Sequence, residues 1–506
     1  MKNLGRVVPE DQYNKVLVEN VHPPAWKNPE PAPRYNLAVI GAGTAGLVTA
    51  AGAAGLGARV ALVERHLMGG DCLNVGCVPS KSIIRSSRII GEVREAHRLG
   101  VRIPAGVAAD FPTVMERMRR LRAEISHHDS ARRFRELGVD VFLGAGRFIG
   151  PNSMEVDGTV LRFAKAVIAT GARPVDPPVE GLAEAGYLTN ETVFSLTERP
   201  RRLLVLGGGP IGCELAQAFR RLGSEVIVAG RAPQFLPRED QDAAAILARA
   251  FQRDGIDIRL HTTISRVMVA GEGKQVHLAT DGREDMVTVD EILAGTGRAP
   301  NVEGLGLEEA GVAYDARSGV KVNDFLQTTN PAIYAAGDVC LAHKFTHTAD
   351  ATARIVIQNA LFRGRKKLSA LTIPWCTYTD PEIAHVGLYE RQAKEKGMEV
   401  DTFMRQLSNV DRAITDGEGE GFVKVHVRKG TDKILGATIV ARHAGEMISE
   451  ITLAMVGNIG LRTLATVIHP YPTQAEAIKL VADAYNRTRL TPFIQRVFRR
   501  WLEWTR

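Results

Sequence analysis

Residues 35–46 read Tyr35-Asn36-Leu37-Ala38-Val39-Ile40-Gly41-Ala42-Gly43-Thr44-Ala45-Gly46, and this stretch decides the fold. A short apolar run stops at a glycine turn, a helix-like segment follows over Leu47 to Leu56, and a second apolar run, Ala58 to Glu64, closes a β-α-β unit. Each glycine has its own reason. Gly41 permits a tight strand-to-helix turn, Gly43 lets a pyrophosphate approach the backbone, and Gly46 lets helix and strand pack closely. The phosphates then meet the helix N-terminus, where unpaired N–H groups and the helix dipole favour negative charge. Glu64, ending the second strand, can accept from an adenosine ribose. A lone turn of this kind is also compatible with no ligand at all.

The same grammar returns about 166 residues further on: Arg202 to Leu206, then Gly207-Gly208-Gly209-Pro210-Ile211-Gly212, then Cys213 to Leu222 and Glu225 to Ala229. Gly207, Gly209 and Gly212 repeat the roles of the first set. Two units so far apart imply two nucleotide-binding domains. At the end of the second unit Gly230 stands where a ribose-binding acid would sit, with Arg231 next to it and Arg238 nearby. Losing a carboxylate and gaining a guanidinium suits a 2′-phosphate, which favours NADPH and makes NADH the poorer fit. The plainer reading makes both arginines solvated loop residues.

The chain has 506 residues, more than one hydrophobic core supports, so two to four domains are expected. Its 45% apolar and 24% charged residues suit a globular protein, and no run of 18 apolar residues occurs. Residues 1 to 20 are studded with charges and lack an apolar signal core, so a cytoplasmic location is expected. The net charge of +7 comes from 64 basic and 57 acidic residues, interspersed along most of the chain, and no nucleic-acid-binding signature is present. Nucleic acid is therefore excluded as a partner. Five cysteines are too few for a disulfide scaffold. Pro23, Pro24, Pro29, Pro31 and Pro33 make residues 1–34 read as an extended arm.

Cys72 and Cys77 stand five apart in Gly69-Gly70-Asp71-Cys72-Leu73-Asn74-Val75-Gly76-Cys77-Val78-Pro79-Ser80-Lys81, just after the first unit. A helix starting near Cys77 would lower thiolate pKa values there and hold both sulfurs near the first domain's ligand. Spacing alone also admits a metal pair or two inert core thiols.

Taken together, Gly41 to Gly46, the cysteine segment, Ala169-Thr170-Gly171, Gly207 to Glu214, Gly295-Thr296-Gly297-Arg298 and Tyr334-Ala335-Ala336-Gly337-Asp338 resemble the pyridine nucleotide-disulfide oxidoreductases, over roughly residues 35 to 485. The resemblance implies an α/β fold with two Rossmann-like domains, for FAD and NAD(P), and a C-terminal α+β dimerisation domain that makes a homodimer. It implies an FAD domain in two parts, 35–175 and 301–368, an NAD(P) domain over 176–300 and a dimerisation domain over 369–485, between the arm and a tail over 486–506. Cys77 would be the charge-transfer thiolate under the flavin and Cys72, farther out, the thiol that meets substrate. Lys81 and Glu214 would be the ion pair beside the flavin, and Gly70, Ala145, Thr170, Gly171, Gly297, Asp338 and Thr346 would join the glycine turns and Glu64 in holding cofactor. The implied relay runs from hydride to flavin, from flavin to the sulfur pair, and from thiolate to substrate.

One departure decides the expected substrate. The disulfide reductases of this family place a histidine five residues before a glutamate in the last domain, as proton donor and acceptor for the thiols. Counting back from Glu476 lands on Tyr471, and His469 lies two residues earlier. A phenol near pKa 10 is a poor thiol base at neutral pH, whereas an imidazole is well matched. Mercuric reductases resemble the chain here, and the segment Trp375 to Gly387 points the same way. The expected function is NADPH-dependent, FAD-linked reduction of a thiol-bound metal ion such as Hg(II), with Cys72 and Cys77 holding that metal transiently as substrate. This sequence carries neither the N-terminal Cys-x-x-Cys domain nor the C-terminal cysteine pair of mercuric reductases. The alternatives are reduction of a disulfide, persulfide or other small oxidant, with His469 as an unorthodox base, and a non-enzymatic flavoprotein sensor or membrane-docked electron carrier. The last rests on the tail, where Phe493, Ile494, Val497, Phe498, Trp501 and Leu502 recur at helical spacing, with Arg496, Arg499 and Arg500 elsewhere.

Overall fold

A computed structural model of the chain describes residues 7–271 and 273–506. The quoted stretch forms strand β1 (Tyr35–Ile40) and helix α2 (Thr44–Gly55), followed by β2 (Val60–Glu64). An earlier helix, α1 (Gln12–Val21), interrupts the region whose prolines suggested an extended arm. The reason is a short helical period: Asn14, Leu17 and Val21 fall on one face and are buried. Asp11 caps the helix through the Asn14 N–H at 2.8 Å, and further along Trp26 donates its indole N–H to Val141 O at 3.1 Å.

Two helices carry the cysteine segment, α3 (Gly70–Asn74) and α4 (Cys77–Glu95). The stretch that follows is helical and arginine-rich, with α5 (Phe111–Ser126) as its main element. Strands β3 (Val139–Leu143), β4 (Gly146–Gly150), β5 (Ser153–Val156) and β6 (Thr159–Ile168) complete a sheet ordered β3-β2-β1-β6-β5-β4, with Ile333–Ala335 also paired to β6. β1 runs parallel to β2 and β6, and Ile40 pairs with both Val63 and Ile168, while Ala335 pairs with Ile168. That register matters more than the strand count. It brings Gly41, Thr170-Gly171, Gly337-Asp338 and Glu64 to one edge, outside the carboxyl ends of parallel strands, where open α/β sheets bind ligands.

A second parallel sheet is ordered Asp257–Arg259, Glu225–Ala229, Arg202–Leu206, Glu291–Ala294. Leu206 pairs with Ala229 and Ala294, so Gly207, Gly230-Arg231 and Gly295 share its edge. A final antiparallel sheet runs Pro374–Thr377, Glu382–Gly387, Ile434–Ala441, Phe422–Arg428, Val400–Gln406, with helices Ala444–Val456 and Glu476–Thr488 packed on it. The chain thus has the mixed α/β architecture with a C-terminal α+β domain that its motifs imply. Long α4 ties the parts together, since Arg88 donates to Glu382 at 2.6 Å and to Thr379 O at 3.1 Å. Among the described residues no helix is long and apolar enough to cross a membrane.

Candidate active site

The first sheet edge has the shape of a nucleotide cradle. Gly41 sits at φ +100°, and a Cβ there would run into the Ala169 carbonyl. Gly70, at φ +56°, lies against Gly43, with 2.6 Å between its would-be Cβ and the Gly43 Cα. Gly46 lies so close to the Gly41 carbonyl oxygen that a side chain would overlap it. Gly43 caps α2 without a side-chain partner, leaving the first-turn N–H groups for a ligand. Glu64 accepts from the Ala42 N–H at 2.6 Å and the His66 N–H at 2.8 Å, which fixes its carboxylate beside the turn. Burial raises its pKa above the usual carboxylate range against those two hydrogen bonds.

Across the edge, Asp338 is also raised by burial, with Arg298 the main opposing charge at 3.9 Å. The Arg298 Nε is buried without a hydrogen-bond partner. Thr170 donates its hydroxyl to Asn301 O at 2.7 Å, Gly171 takes φ +68°, and Ala145 is exposed at the mouth between β3 and β4. Side-chain-free approach, uncapped N–H groups, a carboxylate fixed beside the turn and a second buried acid fit an adenine dinucleotide such as FAD.

The sulfur pair lies where α3 turns into α4. Gly76 makes this turn possible: a Cβ there would stand 2.7 Å from Asp71 O. Asn74 pins the turn by donating to Met68 O at 3.0 Å and Gly70 O at 2.9 Å, while Arg122 donates to Asn74 O at 2.7 Å. Cys77 is the first residue of α4, as the sequence predicts, and its sulfur is 3.4 Å from the Thr346 hydroxyl. A hydrogen bond from Cys72 lowers the Cys77 thiol to about 6, against burial and with help from Thr346 and Lys81. The same hydrogen bond, together with burial, drives Cys72 far upward. The pair thus favours the thiolate at Cys77 and the thiol at Cys72. In the protein chain by itself Cys77 is exposed and Cys72 half-buried. The resemblance implies the reverse for the loaded protein, where a flavin laid over Cys77 would cover it.

Lys81, one turn into α4, donates to Glu214 at 2.8 Å. Burial pulls the Lys81 pKa down, but Glu214 outweighs it and holds the ammonium form. Glu214 comes from the second nucleotide helix, Pro210–Arg221, and also accepts from the Tyr378 N–H at 2.9 Å. Tyr378, whose ring lies 4.6 Å beneath the Lys81 ammonium, escaped the sequence reading. So did the ion pair of Arg298 with Asp71 beside Cys72. The hints in sequence were the segment Trp375 to Gly387 and the Gly295 to Arg298 motif.

On the second edge Gly207 sits at φ +99°, its would-be Cβ 2.7 Å from Gly295 O, and Gly212 packs 2.5 Å from Gly207 O by the same measure. Gly209 caps its helix without a side-chain bond, and Gly297 faces open space. Arg231 and Arg238 are exposed, and among the described residues neither pairs with a carboxylate.

In the C-terminal domain the candidates part company. His469 is fixed by Glu450 at 3.0 Å, with 6% of its side chain exposed. Tyr471 is 70% exposed and donates to Asp411 at 3.0 Å; that bond raises the phenol pKa, and Glu476 adds a smaller push. Glu476 opens the helix Glu476–Thr488 and is half-buried. Within one protomer none of these three has a hydrogen bond to the sulfur pair among the described residues.

Residues 35–354 match the family model described as pyridine nucleotide-disulphide oxidoreductase, and residues 373–482 match that family's dimerisation domain. A mercuric reductase from Lysinibacillus sphaericus is 36% identical over 453 residues, covering 90% of this chain and 83% of that one. A dihydrolipoyl dehydrogenase from Thermus scotoductus is 34% identical over 462 residues, covering 90% and 98%. Among solved structures, the Cu(II) complex of the HOCl-induced flavoprotein disulfide reductase RclA from Escherichia coli matches with a TM-score of 0.79 and 29% identity, over 87% of this chain and 98% of that one. LpdA from Mycobacterium tuberculosis matches with a TM-score of 0.80 and 28% identity, over 90% and 100%. With its dinucleotide cradles, sulfur pair and dimerisation domain, the chain belongs to the pyridine nucleotide-disulphide oxidoreductase family, as a homodimeric, FAD-dependent oxidoreductase that draws on a pyridine nucleotide.

Proposed function

We propose that this enzyme takes electrons from NADPH and delivers them, through FAD and the Cys72/Cys77 pair, to a soft metal ion held between thiolates, with Hg(II) as the model substrate. The observation that carries this reading is the C-terminal one. The tyrosine at the proton-shuttle position is open, and the nearby histidine is held by Glu450. Disulfide reduction needs a base of matched pKa to manage thiol protons, whereas a metal leaving two thiolates does not.

FAD, when bound, supplies the two-electron carrier between nicotinamide and sulfur. Lys81, kept protonated by Glu214, places a fixed positive charge where hydride arrives. With its pKa drawn down by its neighbours, Cys77 serves as the thiolate, and Cys72, drawn up, as the thiol whose proton a binding metal displaces. In the family's dimer arrangement Tyr471 and Glu476 of one protomer would face the other protomer's sulfur pair, where a phenol oxygen can orient a soft cation. A cytoplasmic setting, where NADPH is available, suits this chemistry.

Purified enzyme should oxidise NADPH steadily with Hg(II) in the presence of excess thiol, and not with oxidised glutathione or lipoamide. Turnover with a disulfide alone would overturn the assignment. Tyr471→Phe should lower metal turnover about tenfold, the loss of one hydroxyl contact. Tyr471→His should raise disulfide reduction, and unchanged rates in both assays would remove this residue from the site.

Among the described residues no carboxylate pairs with Arg231 or Arg238, which leaves both guanidiniums for a 2′-phosphate. Arg231→Glu should raise KM for NADPH by about tenfold to a hundredfold, from the loss of one charge-assisted contact plus repulsion. KM for NADH should change little, and an equal loss for both nucleotides would refute the 2′-phosphate contact.

A further inference from the structure

We propose that the helix Pro492–Thr505 is an in-plane anchor that seats this enzyme on an anionic lipid surface. Thr491 accepts from the Ile494 N–H at 3.3 Å and Pro492 opens the helix, so its N-terminus is capped locally. At about 100° per residue, Phe493, Ile494, Val497, Phe498, Trp501 and Trp504 fall on one half of the circumference. Arg496, Arg499, Arg500 and Arg506 occupy the other half, with Glu503 the one acid among them.

None of the helix is buried: Phe493 is 66%, Trp501 59% and Trp504 77% exposed, with the two indoles 5.2 Å apart. A face this apolar and this open requires a cover. At 14 residues the helix is too short to span a bilayer, but an amphipathic helix with aromatics on one face and arginines on the other lies at a lipid headgroup boundary.

Charge selects lipid over protein as the cover. Residues 486–506 hold six arginines and one glutamate, and so supply five of the chain's seven net positive charges. Among the described residues no carboxylate of this chain pairs with Arg487, Arg489, Arg496, Arg499 or Arg500. A second copy of the helix would bring the same arginines against them. A sheet of anionic headgroups neutralises all of them at once while the aromatic face enters the acyl boundary.

The test uses the full-length, FAD-loaded enzyme, sedimented with vesicles of phosphatidylcholine alone or of phosphatidylcholine and phosphatidylglycerol at about three to one. Binding should favour the anionic vesicles by tenfold or more, roughly the effect of a few arginines near such a surface, and should weaken with salt. Trp501→Glu should abolish binding, and Arg499→Glu with Arg500→Glu should remove the anionic preference. NADPH-dependent turnover should persist in all of these variants, which shows that they fold. Sedimentation with neither vesicle type would overturn the proposal. So would a change in oligomeric state in Trp501→Glu, which would make the face a contact between copies of the chain.

Discussion

Replacing Cys77 with serine should abolish reduction of every acceptor, a loss on the order of a thousandfold or more, while the protein stays yellow. Serine keeps the size of the side chain and its place at the start of α4, so the fold and the cradle survive. It cannot carry a thiolate at neutral pH or share an electron pair with a second sulfur. Cys72→Ser should fail equally, since one sulfur alone can neither form the disulfide nor clamp a metal. Full activity in either variant would remove the relay.

The pair also makes a pH prediction with a definite sign. The Cys77 thiolate should form as pH rises through about 6, because the Cys72 proton is its strongest support. Cys72→Ala removes that proton, and the midpoint should climb toward the ordinary thiol value of about 8.5. At neutral pH the ionised fraction would then fall from roughly nine-tenths to a few per cent. Difference absorbance of the thiolate in the reduced protein reads this directly. The other thiols stay silent in that range, since burial pushes Cys213 and Cys376 well up and Cys340 to about 12. An unmoved midpoint would show that Lys81 and the helix, not Cys72, set the ionisation.

Gly41→Ala is expected to cost about 3 kcal/mol and to yield protein without FAD. The residue combines a left-handed φ of +100° with a Cβ direction that ends in the Ala169 carbonyl, and the Thr170 Cα is 3.0 Å away. Relief would have to pull β1 from β6 at Ile40–Ile168, the register that assembles the cradle. Gly43→Ala is the control. Its added Cβ would meet nothing nearer than Gly70 Cα at 3.7 Å, and its φ of −78° suits any residue. That variant should keep its thermal stability and lose only flavin affinity, because the methyl fills the space a pyrophosphate approaches. Equal stability losses at the two glycines would show that both are packing residues.

The two nucleotide units were legible in sequence because their constraints are local. A tight turn at Gly41 or Gly207, a helix opening behind it and the residue closing the next strand, Glu64 in one unit and Gly230 beside Arg231 in the other, all lie within about 25 residues, and each restricts which side chains are tolerated. Cys77 at a helix start was legible for the same reason. Lys81 and Glu214 were named only through resemblance: 133 positions separate them, and no local period connects them. The N-terminal helix was missed because its buried face is three residues long and proline-rich sequence surrounds it.

By itself, then, the sequence determined the pair of β-α-β units, the sulfur pair, a tyrosine five residues before Glu476 and the amphipathic tail. Tertiary structure decided what those residues meet. It put Tyr378 under Lys81, Arg298 between Asp71 and Asp338, Thr346 beside Cys77, and Glu450 on His469. The physical reason is range. Turn geometry and helix starts are fixed by neighbours along the chain, whereas burial and charge pairing depend on strand register and helix packing, which bring distant residues together.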